Sequence, residues 1–214
     1  MSHPSILLAS GVELDFRAPE CCPWTIDDIA RGLAYTARFR GQTKAFYSVA
    51  QHSVIMSREV PVDLPELAVA ALFHDAAEAF VGDMPRPLKA MFPDFRNLER
   101  EVHASILRRL GLAPVLLGEV KQLDRRMFAT EVRDVLPRPP EHWPPIHDCE
   151  PFARRVSPIG PKRAHWEFHK RAAEVLGLVK YRALNRESRE RRRAVLSRRL
   201  DPVRSSSRGP SGAM

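Results

Sequence analysis

The segment that most limits the fold is an apolar run near the middle of the chain. Residues 67–73 (LAVAALF) are all hydrophobic and lie inside a predicted helix over residues 64–81. A helix that is hydrophobic on nearly every side must be buried, so we expect this one at the centre of the protein. Gly82 ends the predicted helix, and Pro85 and Pro87 prevent its continuation.

Amphipathic helical patterns lie on both sides of this central helix. Thr25 precedes the first pattern, in which apolar residues recur at Ile26, Ile29, Ala30 and Leu33. Further helices are predicted over residues 46–60, 98–110, 115–136 and 162–178.

Two other features complete the expected architecture. Residues 6–8 and 12–16 are strand-like segments on either side of Gly11, and they carry too little apolar surface to fold alone. Residues 137–161 contain eight prolines and predict a long irregular loop. The sequence therefore predicts an all-α helical bundle with a short N-terminal strand pair and one long proline-rich loop.

The positive charge of the chain is concentrated at its C-terminal end. The formal net charge is +8, and residues 180–214 contain eleven Lys and Arg against three Asp and Glu. Residues 1–179 are thus electrically balanced and are predicted to form one domain that is not built to bind a polyanion. Residues 180–214 are predicted to be a basic, disordered extension, the one part of the chain that could bind nucleic acid.

The sequence gives no indication of a membrane protein or a secreted protein. No apolar run approaches the roughly 18 residues that a membrane span needs, and the N-terminus lacks the pattern of a signal peptide. Three cysteines cannot form a closed set of disulfides. We therefore expect a cytoplasmic protein without a membrane partner.

Three titratable residues interrupt the apolar surface of the central helix. Glu78 lies four residues after His74 and three after Asp75, so all three would share one helix face. Burying such groups is costly unless their charge is compensated, and a divalent metal would compensate it. The alternative is a buried hydrogen bond between His74 and Asp75 with Glu78 reaching solvent, and the His-Asp pair taken alone favours this alternative.

Two residues on other predicted helices shift the balance towards a metal. His52 lies within the helix over residues 46–60, and Asp124 lies within the helix over residues 115–136. Imidazole and carboxylate ligands suit Mn, Fe, Co, Ni or Zn. Along the chain, the candidate ligands occur in the order His52, His74-Asp75, Asp124.

This order resembles the HD-domain superfamily of metal-dependent phosphohydrolases, in which the matching four residues hold one divalent metal. The run HDAAEAFVGDMPRPLK at residues 74–89 is similar to the signature of the YfbR-like 5'-deoxynucleotidases. Residues 38–53 and 124–134 are similar to the branch of that family carried by phages and prophages. The sequence departs from this branch at Gln42, and its first two motifs are close together, so substrate preference is the least transferable property.

The resemblance implies roles for residues around the metal. It implies that Arg38 binds phosphate, and Phe39 belongs to the same matched segment. Arg38 lies in a polar connection, where it would be free to move over the metal. The resemblance also implies that Glu78 orients or deprotonates the attacking water. Asp83 would contact the sugar hydroxyl or assist protonation of the leaving group, the alternative being a turn aspartate that binds local backbone.

Additional positive charge is expected near the phosphate. Hydrolysis leaves negative charge on phosphate oxygens, so cationic side chains must reach them. Lys89 and Arg86 are candidates for this contact, although Arg86 could equally be an ordinary solvent-exposed side chain.

The expected function is hydrolysis of the 5'-phosphate of deoxynucleoside monophosphates by water that the metal activates. One alternative is a triphosphohydrolase that releases tripolyphosphate from deoxynucleoside triphosphates. Another is a non-catalytic HD fold that senses nucleotides or binds nucleic acid through the basic tail. The resemblance alone implies a homo-oligomer.

Other polar residues carry weaker predictions. Glu131 lies two turns after the candidate aspartate ligand on the same helix face, a position from which it could support a ligand. His165 and His169 are spaced to bind a metal together, but without a third ligand nearby they are predicted to form a polar helix face. His147 and Asp148 are expected at the surface of the proline-rich loop.

Overall fold

The computed structural model describes residues 4–112, 117–140 and 149–200, and it confirms an all-α bundle. The predicted strand pair is present as strands β1 (Ser5–Leu7) and β2 (Glu13–Asp15), which are antiparallel with Ile6 opposite Leu14. Gly11 lies in the connecting turn at φ +78°, a conformation that glycine adopts without strain.

The helices account for most of the described residues. No helix in the described part of the chain is both long and apolar enough to cross a membrane. In chain order they are α1 (Ile26–Tyr35), α2 (Val49–Arg58), α3 (Pro65–Phe73), α4 (Glu78–Val81), α5 (Arg86–Lys89), α6 (Pro93–Leu110), α7 (Leu117–Asp134), α8 (Pro161–Leu176) and α9 (Leu178–Leu200).

Polar side chains fix the beginnings of the first two helices. The Thr25 hydroxyl accepts a hydrogen bond from the Asp28 amide, and the Asp28 carboxylate accepts one from the Thr25 amide. α2 begins at Val49 rather than at the predicted residue 46, because Ser48 caps it and pairs with Ala37 in an extended bridge. This bridge holds the segment that carries Arg38 against the start of α2.

The central helix predicted over residues 64–81 is broken in the structure. α3 ends at Phe73, and α4 begins at Glu78. In between, the backbone makes tighter bonds between residues three apart, including Glu78 N–H to the Asp75 carbonyl at 2.9 Å. The His74 ring also donates to the Ala71 carbonyl at 2.9 Å. The break therefore coincides with the His-Asp pair.

A close contact between α1 and α4 fixes the position of Glu78. A Cβ atom added at Gly32 would lie 2.4 Å from the carbonyl oxygen of Ala79, which is far inside van der Waals contact. Only glycine permits this approach of the two backbones. Glu78, the neighbour of Ala79, is thereby held against the rigid α1 helix.

Two clusters of buried residues form the core. The larger joins α1, α2, α3 and α8 and includes Trp24, Leu33, Phe73 and Phe168. The smaller joins α2, α3 and α7 and includes Met56 and residues Tyr47, Met127, Val135 and Phe152. α2 and α3 contribute to both clusters, so these two helices lie at the centre of the bundle.

The proline-rich segment is irregular in its described parts, residues 137–140 and 149–160. Phe152 is nevertheless buried, and its amide donates to the Thr130 hydroxyl at 2.8 Å. This contact ties the segment to α7. His147 and Asp148, the polar pair predicted for this loop, lie outside the described residues.

The chain is helical well beyond residue 180, where a disordered extension is predicted. Leu184 and Ser188 are buried against the body, and the Ser188 hydroxyl accepts a hydrogen bond from Arg109 at 2.6 Å. Arg109 also donates to the Trp24 carbonyl at 2.9 Å. Leu184 and Ser188, one turn apart, thus give α9 a face that packs on the body, although most residues of this helix are polar or charged. The domain boundary at residue 179 stays a prediction.

Candidate metal centre

Three helices bring the predicted metal ligands together. His52 lies in the middle of α2, His74 and Asp75 directly follow α3, and Asp124 lies in the first half of α7. α2 packs against both α3 and α7, and this arrangement brings the ligands from three segments to one point. One potential ligand atom from each of His52, His74 and Asp75 lies within 4.8 Å of the others. One ion could therefore contact all three side chains.

The two imidazole rings face each other with their Nε2 atoms 3.2 Å apart. His74 Nδ1 must carry a proton, because it lies 2.9 Å from the Ala71 carbonyl oxygen, which can only accept. His52 Nδ1 donates to the buried carboxylate of Glu131 at 2.7 Å. Neutral rings in these tautomers point two Nε2 lone pairs at each other, which is unfavourable unless a cation lies between them.

Two carboxylates complete the negative environment. Asp75 Oδ2 lies 3.0 Å from His74 Nε2 and 3.7 Å from His52 Nε2, and Asp124 Oδ1 lies 3.6 Å from His52 Nε2. Although burial opposes ionisation, the His74 imidazole holds the pKa of Asp75 well below its usual range. Burial also opposes a charge on His74, but the attraction of Asp75 outweighs it and raises the pKa of His74. The centre therefore attracts a positive charge, and its nitrogen and oxygen ligands fit a divalent transition metal.

Glu131 links this centre to Arg38. It is fully buried in α7, and its Oε1 atom contacts His52. The Arg38 guanidinium lies against both carboxylate oxygens. Its Nε atom is 2.9 Å from Oε1, and Nη2 donates to Oε2 at 3.1 Å. Burial alone would raise the pKa of Glu131, but the charges of Arg38 and His52 lower it. Glu131 therefore stays ionised and orients the His52 ring, which supports the role that the sequence suggests for it.

Arg38 is fixed rather than free to move, contrary to the prediction from its polar surroundings. Its amide donates to the Tyr47 carbonyl at 2.9 Å, and Nη1 lies 3.5 Å from Asp75 Oδ2. Only 12% of its side chain is exposed. Burial disfavours the charged form, but Glu131 and Asp75 raise the pKa of Arg38 above its usual value. A permanent positive charge is thus fixed at the edge of the centre.

Glu78 offers a second kind of chemistry at the same place. Its Oε2 atom is buried without a hydrogen-bond partner in the described part of the chain, and its Oε1 atom lies 3.9 Å from Lys89 Nζ. Burial and the neighbouring carboxylates of Asp75 and Asp83 raise the pKa of Glu78 well above its usual value. A carboxylate in this environment accepts a proton more readily than an exposed glutamate does.

Comparison with known proteins agrees with this geometry. Residues 45–115 match the family of YfbR-like 5'-deoxynucleotidases. The chain is 40% identical over 158 residues to the uncharacterized protein YfdR of Escherichia coli, covering 72% of this chain and 86% of that protein. The chain belongs to the YfbR-like family of HD-domain phosphohydrolases. An uncharacterized Rhodobacter capsulatus protein, RCAP_rcc00048, is 38% identical over 122 residues, which cover 54% of this chain and 62% of that protein.

Membership of the YfbR-like family establishes the class of activity. The chain is a metal-dependent phosphohydrolase, and the paired imidazoles and carboxylates form its candidate divalent-metal site.

The remaining predicted site residues lie around the rim of this YfbR-like centre. Lys89, in α5, donates to Glu99 of α6 at 2.6 Å. Arg86 forms an ion pair with Asp124 Oδ2, although most of its side chain is exposed. Asp83 lies in the connection between α4 and α5, and burial raises its pKa, opposed by the charge of Arg38.

Phe39 adopts an unusual backbone conformation next to Arg38. Its φ angle is +54°, and that of Arg40 is also +54°, in the left-handed region that glycine usually occupies. The Phe39 ring packs against Phe128 of α7 with 6.1 Å between ring centroids, and the Arg38 guanidinium lies 5.3 Å from its centroid. An aromatic surface therefore adjoins the fixed guanidinium.

Sequence patterns did not reveal two contributors to the site. The Ala71 carbonyl sets the tautomer of His74, and Glu99 holds Lys89 in place. A backbone carbonyl carries no residue-type signal, and the partners Lys89 and Glu99 lie on different helices. Only the observation that Ala71 lies three residues before His74 in a helix could have suggested the first contact.

Proposed function

We propose that this enzyme hydrolyses the 5'-phosphate of deoxynucleoside monophosphates. The observation that carries the proposal is the arrangement of His52 Nε2 and His74 Nε2, 3.2 Å apart, beside the fixed guanidinium of Arg38. A centre for a cation and a separate permanent positive charge are what a phosphate dianion requires.

His52, His74, Asp75 and Asp124 would hold the metal. Two imidazoles and two carboxylates suit Mn, Co, Fe, Ni or Zn. When bound, such an ion polarises the phosphate and lowers the pKa of water. Asp124 would contact the metal through Oδ1, which faces His52, while Oδ2 keeps its ion pair with Arg86.

Glu78 would accept the proton of the attacking water. Its unpaired oxygen is free to accept a hydrogen bond, and its raised pKa suits a general base. The water oxygen forms a bond to phosphorus as the bond from phosphorus to the sugar 5'-oxygen breaks. Asp83 would give a proton to that leaving oxygen, a role that its raised pKa supports.

Arg38, Lys89 and Phe39 would bind the nucleotide. The Arg38 guanidinium can hold a phosphate oxygen through Nη1, which lies near Asp75, while Nε and Nη2 contact Glu131. Lys89 Nζ lies near Glu78 and could contact a phosphate oxygen from the opposite side. The Phe39 ring offers an apolar face against which a base or sugar can pack.

The charge balance at the rim favours a monophosphate over a triphosphate. Arg38, Arg86 and Lys89 are each paired with a carboxylate, respectively Glu131, Asp124 and Glu99. A triphosphate brings more negative charge than a monophosphate and needs more unpaired cations. These pairings therefore support the monophosphate as substrate.

The proposal is tested by crossing a metal screen with a nucleotide panel. Metal-stripped protein would receive Mn²⁺, Co²⁺, Ni²⁺, Fe²⁺ or Zn²⁺ and then dAMP, dGMP, dCMP, dTMP, AMP or dATP, with Asp75→Ala as the inactive control. We expect free phosphate from deoxynucleoside monophosphates with at least one metal. Tripolyphosphate from dATP without phosphate from dAMP would identify a triphosphohydrolase. Nucleotide binding without turnover under every metal would instead identify a sensor.

A further inference from the structure

We infer that Asp27, His165 and His169 form a second metal site, which binds Zn²⁺ between helices α1 and α8. In the part of the chain that the structure describes, these residues and the centre at His52 are the two groups in which three metal-ligating side chains converge. The second group shares no residue with the first, and the inference does not depend on the proposed substrate.

The ligand atoms already converge on one point. Asp27 Oδ1 lies 2.9 Å from His165 Nε2 and 2.8 Å from His169 Nε2. His165 and His169 are one turn apart on α8, the spacing at which two histidines of a helix can bind the same ion. The sequence predicts only a polar helix face here, because its third ligand, Asp27, lies 138 residues from His165 along the chain.

The supporting structure holds these side chains in place. α1 and α8 pack against each other along the larger core cluster, so the distance between Asp27 and the histidines is fixed by buried contacts. The Tyr181 hydroxyl of α9 lies 2.5 Å from His169 Nδ1 and orients that ring. Metal-bound histidines typically use their second ring nitrogen in this way.

The spacing and the exposure suit an ion. Ligands about 2.0–2.1 Å from a tetrahedral Zn²⁺ are about 3.3 Å apart, so the Asp27 oxygen would need to move only about half an ångström away from each Nε2 atom. The side chains of His165 and His169 are 28% and 23% exposed, which leaves room for a water as fourth ligand. Two imidazoles and one carboxylate are a ligand set that Zn²⁺ accepts.

Zn²⁺ at this site would join three helices. It would link the first turn of α1 directly to α8, and it would act on α9 through the contact between His169 and Tyr181. A metal that binds the folded chain and not the unfolded chain raises the unfolding temperature by mass action. We therefore expect Zn²⁺ to stabilise the bundle independently of catalysis.

The decisive experiment counts Zn²⁺ by calorimetric titration in variants of the whole chain. The double variant His74→Ala/Asp124→Ala removes the catalytic centre and should still bind one equivalent. Adding Asp27→Asn should abolish that equivalent, because the amide keeps the shape of the side chain but loses its charge. Adding Glu174→Gln, a matched change of an exposed carboxylate on α8, should leave it unchanged.

Three further measurements make the result independent of whether the double variant folds. In an otherwise wild-type chain, Asp27→Asn should lower the Zn²⁺ content from two equivalents to one. In the Asp75→Ala chain, adding Asp27→Asn should abolish the Zn²⁺-dependent rise in unfolding temperature that Asp75→Ala alone retains. Co²⁺ should give a visible absorption band in Asp75→Ala that His169→Ala removes. Equal Zn²⁺ stoichiometry with and without Asp27 would overturn the inference and leave these residues as a hydrogen-bonded cluster.

Discussion

At the residue scale, the pair of imidazoles in α2 and after α3 explains why this centre needs a cation. The tautomers of His52 and His74 are fixed from outside, by Glu131 and by the Ala71 carbonyl. Both Nε2 atoms therefore face the same point before any ligand arrives, and Asp75 adds negative charge there. Preorganised ligands of this kind reduce the cost of binding a metal.

We expect His74→Ala, Asp75→Ala and Asp124→Ala each to abolish turnover and to lose the metal equivalent that is bound at this centre. Each change removes a proposed ligand of one ion, and loss of one ligand or its charge lowers affinity sharply. Elemental analysis of the purified variants measures the effect, with the exposed Asp63→Ala as a control. Normal metal content in Asp75→Ala would refute the four-ligand assignment.

Glu78→Gln separates chemistry from metal binding. The amide has nearly the same shape as the carboxylate but cannot accept a proton from water, so we expect kcat to fall by about 10²–10⁴-fold. Metal content and KM should change little, because Glu78 is not one of the proposed metal ligands and its buried Oε2 atom makes no hydrogen bond in the described part of the chain. If the variant instead loses its metal, Glu78 is itself a ligand and another group acts as the base.

Arg38→Lys tests whether the Arg38 guanidinium binds the phosphate group of the substrate. Lysine keeps the charge, but its single ammonium cannot hold both Glu131 oxygens and also face the phosphate. We expect weaker binding of deoxynucleoside monophosphates and an unchanged affinity for the free deoxynucleosides, measured by calorimetry on the metal-loaded protein. Equal losses for both ligands would show that Arg38 shapes the pocket rather than contacting phosphate.

Arg38→Ala should cost stability as well. It leaves the buried charge of Glu131 without its partner, which typically destabilises a protein by about 3–5 kcal/mol. Changing Glu131 to glutamine in the same chain should restore part of this loss, and urea unfolding of the single and double variants checks it.

At the scale of elements, the break between α3 and α4 separates the ligands from the base. His74 and Asp75 lie in the tight turns after α3, whereas Glu78 begins a new helix that packs on α1. The contact at Gly32 fixes that second helix. The metal ligands and the proposed base thus lie on two separate segments, whereas an unbroken helix would have placed them on a single helix.

We expect Gly32→Ala to lower both stability and activity. Its new Cβ atom would meet the Ala79 carbonyl at 2.4 Å, so α4 must move and take Glu78 with it. Gly118→Ala is the matched control, because it adds the same methyl group to a helix with nothing within 4 Å and should be neutral or stabilising by up to about 1 kcal/mol. Thermal unfolding and kcat of the two variants give the comparison.

Sequence patterns predicted where helices occur better than they predicted where a helix is broken. Periodicity found α1, α7 and α8 because each has an apolar stripe that faces the core. It missed the break at residues 74–77, since helical and tighter turns have nearly the same hydrophobic pattern. It also placed Arg38 in a mobile connection, because the partner that buries it, Glu131, lies 93 residues away.

The same limits apply to the candidate site. The order of His52, His74, Asp75 and Asp124 was recognisable as a motif, and the structure brings them to one point. The cluster at Asp27 was not recognisable, because one of its ligands comes from a distant helix. Contacts between distant segments depend on packing, which local periodicity does not encode.

At the scale of the whole molecule, α9 extends the bundle and covers part of its N-terminal region. The Ser188 hydroxyl lies 2.9 Å from the Trp24 carbonyl, and Arg109 stacks 4.3 Å from the Trp24 ring while donating to Ser188. The adjacent Cys22 is buried here, and burial raises its pKa to about 12. These contacts join α9 to the N-terminal region of the bundle.

We expect truncation after residue 177 to lower the unfolding temperature, whereas truncation after residue 200 should leave it unchanged. The shorter chain loses the buried Leu184 side chain and the Ser188 contacts, and each 1 kcal/mol lost corresponds to about 2–4 °C in a chain of this size. Calorimetry of the two truncated chains checks this, and equal unfolding temperatures would support the predicted boundary at residue 179.

The shared carboxylate of Glu131 has a consequence for how this enzyme can evolve. One oxygen of Glu131 meets the His52 ring, and the Arg38 guanidinium spans both. A substitution that retunes the phosphate contact therefore also disturbs the orientation of the histidine, and the reverse holds. Mutational paths towards new phosphoester substrates should therefore show strong epistasis between Arg38 and His52. A change at Arg38 becomes tolerable only after a compensating change elsewhere in the same network.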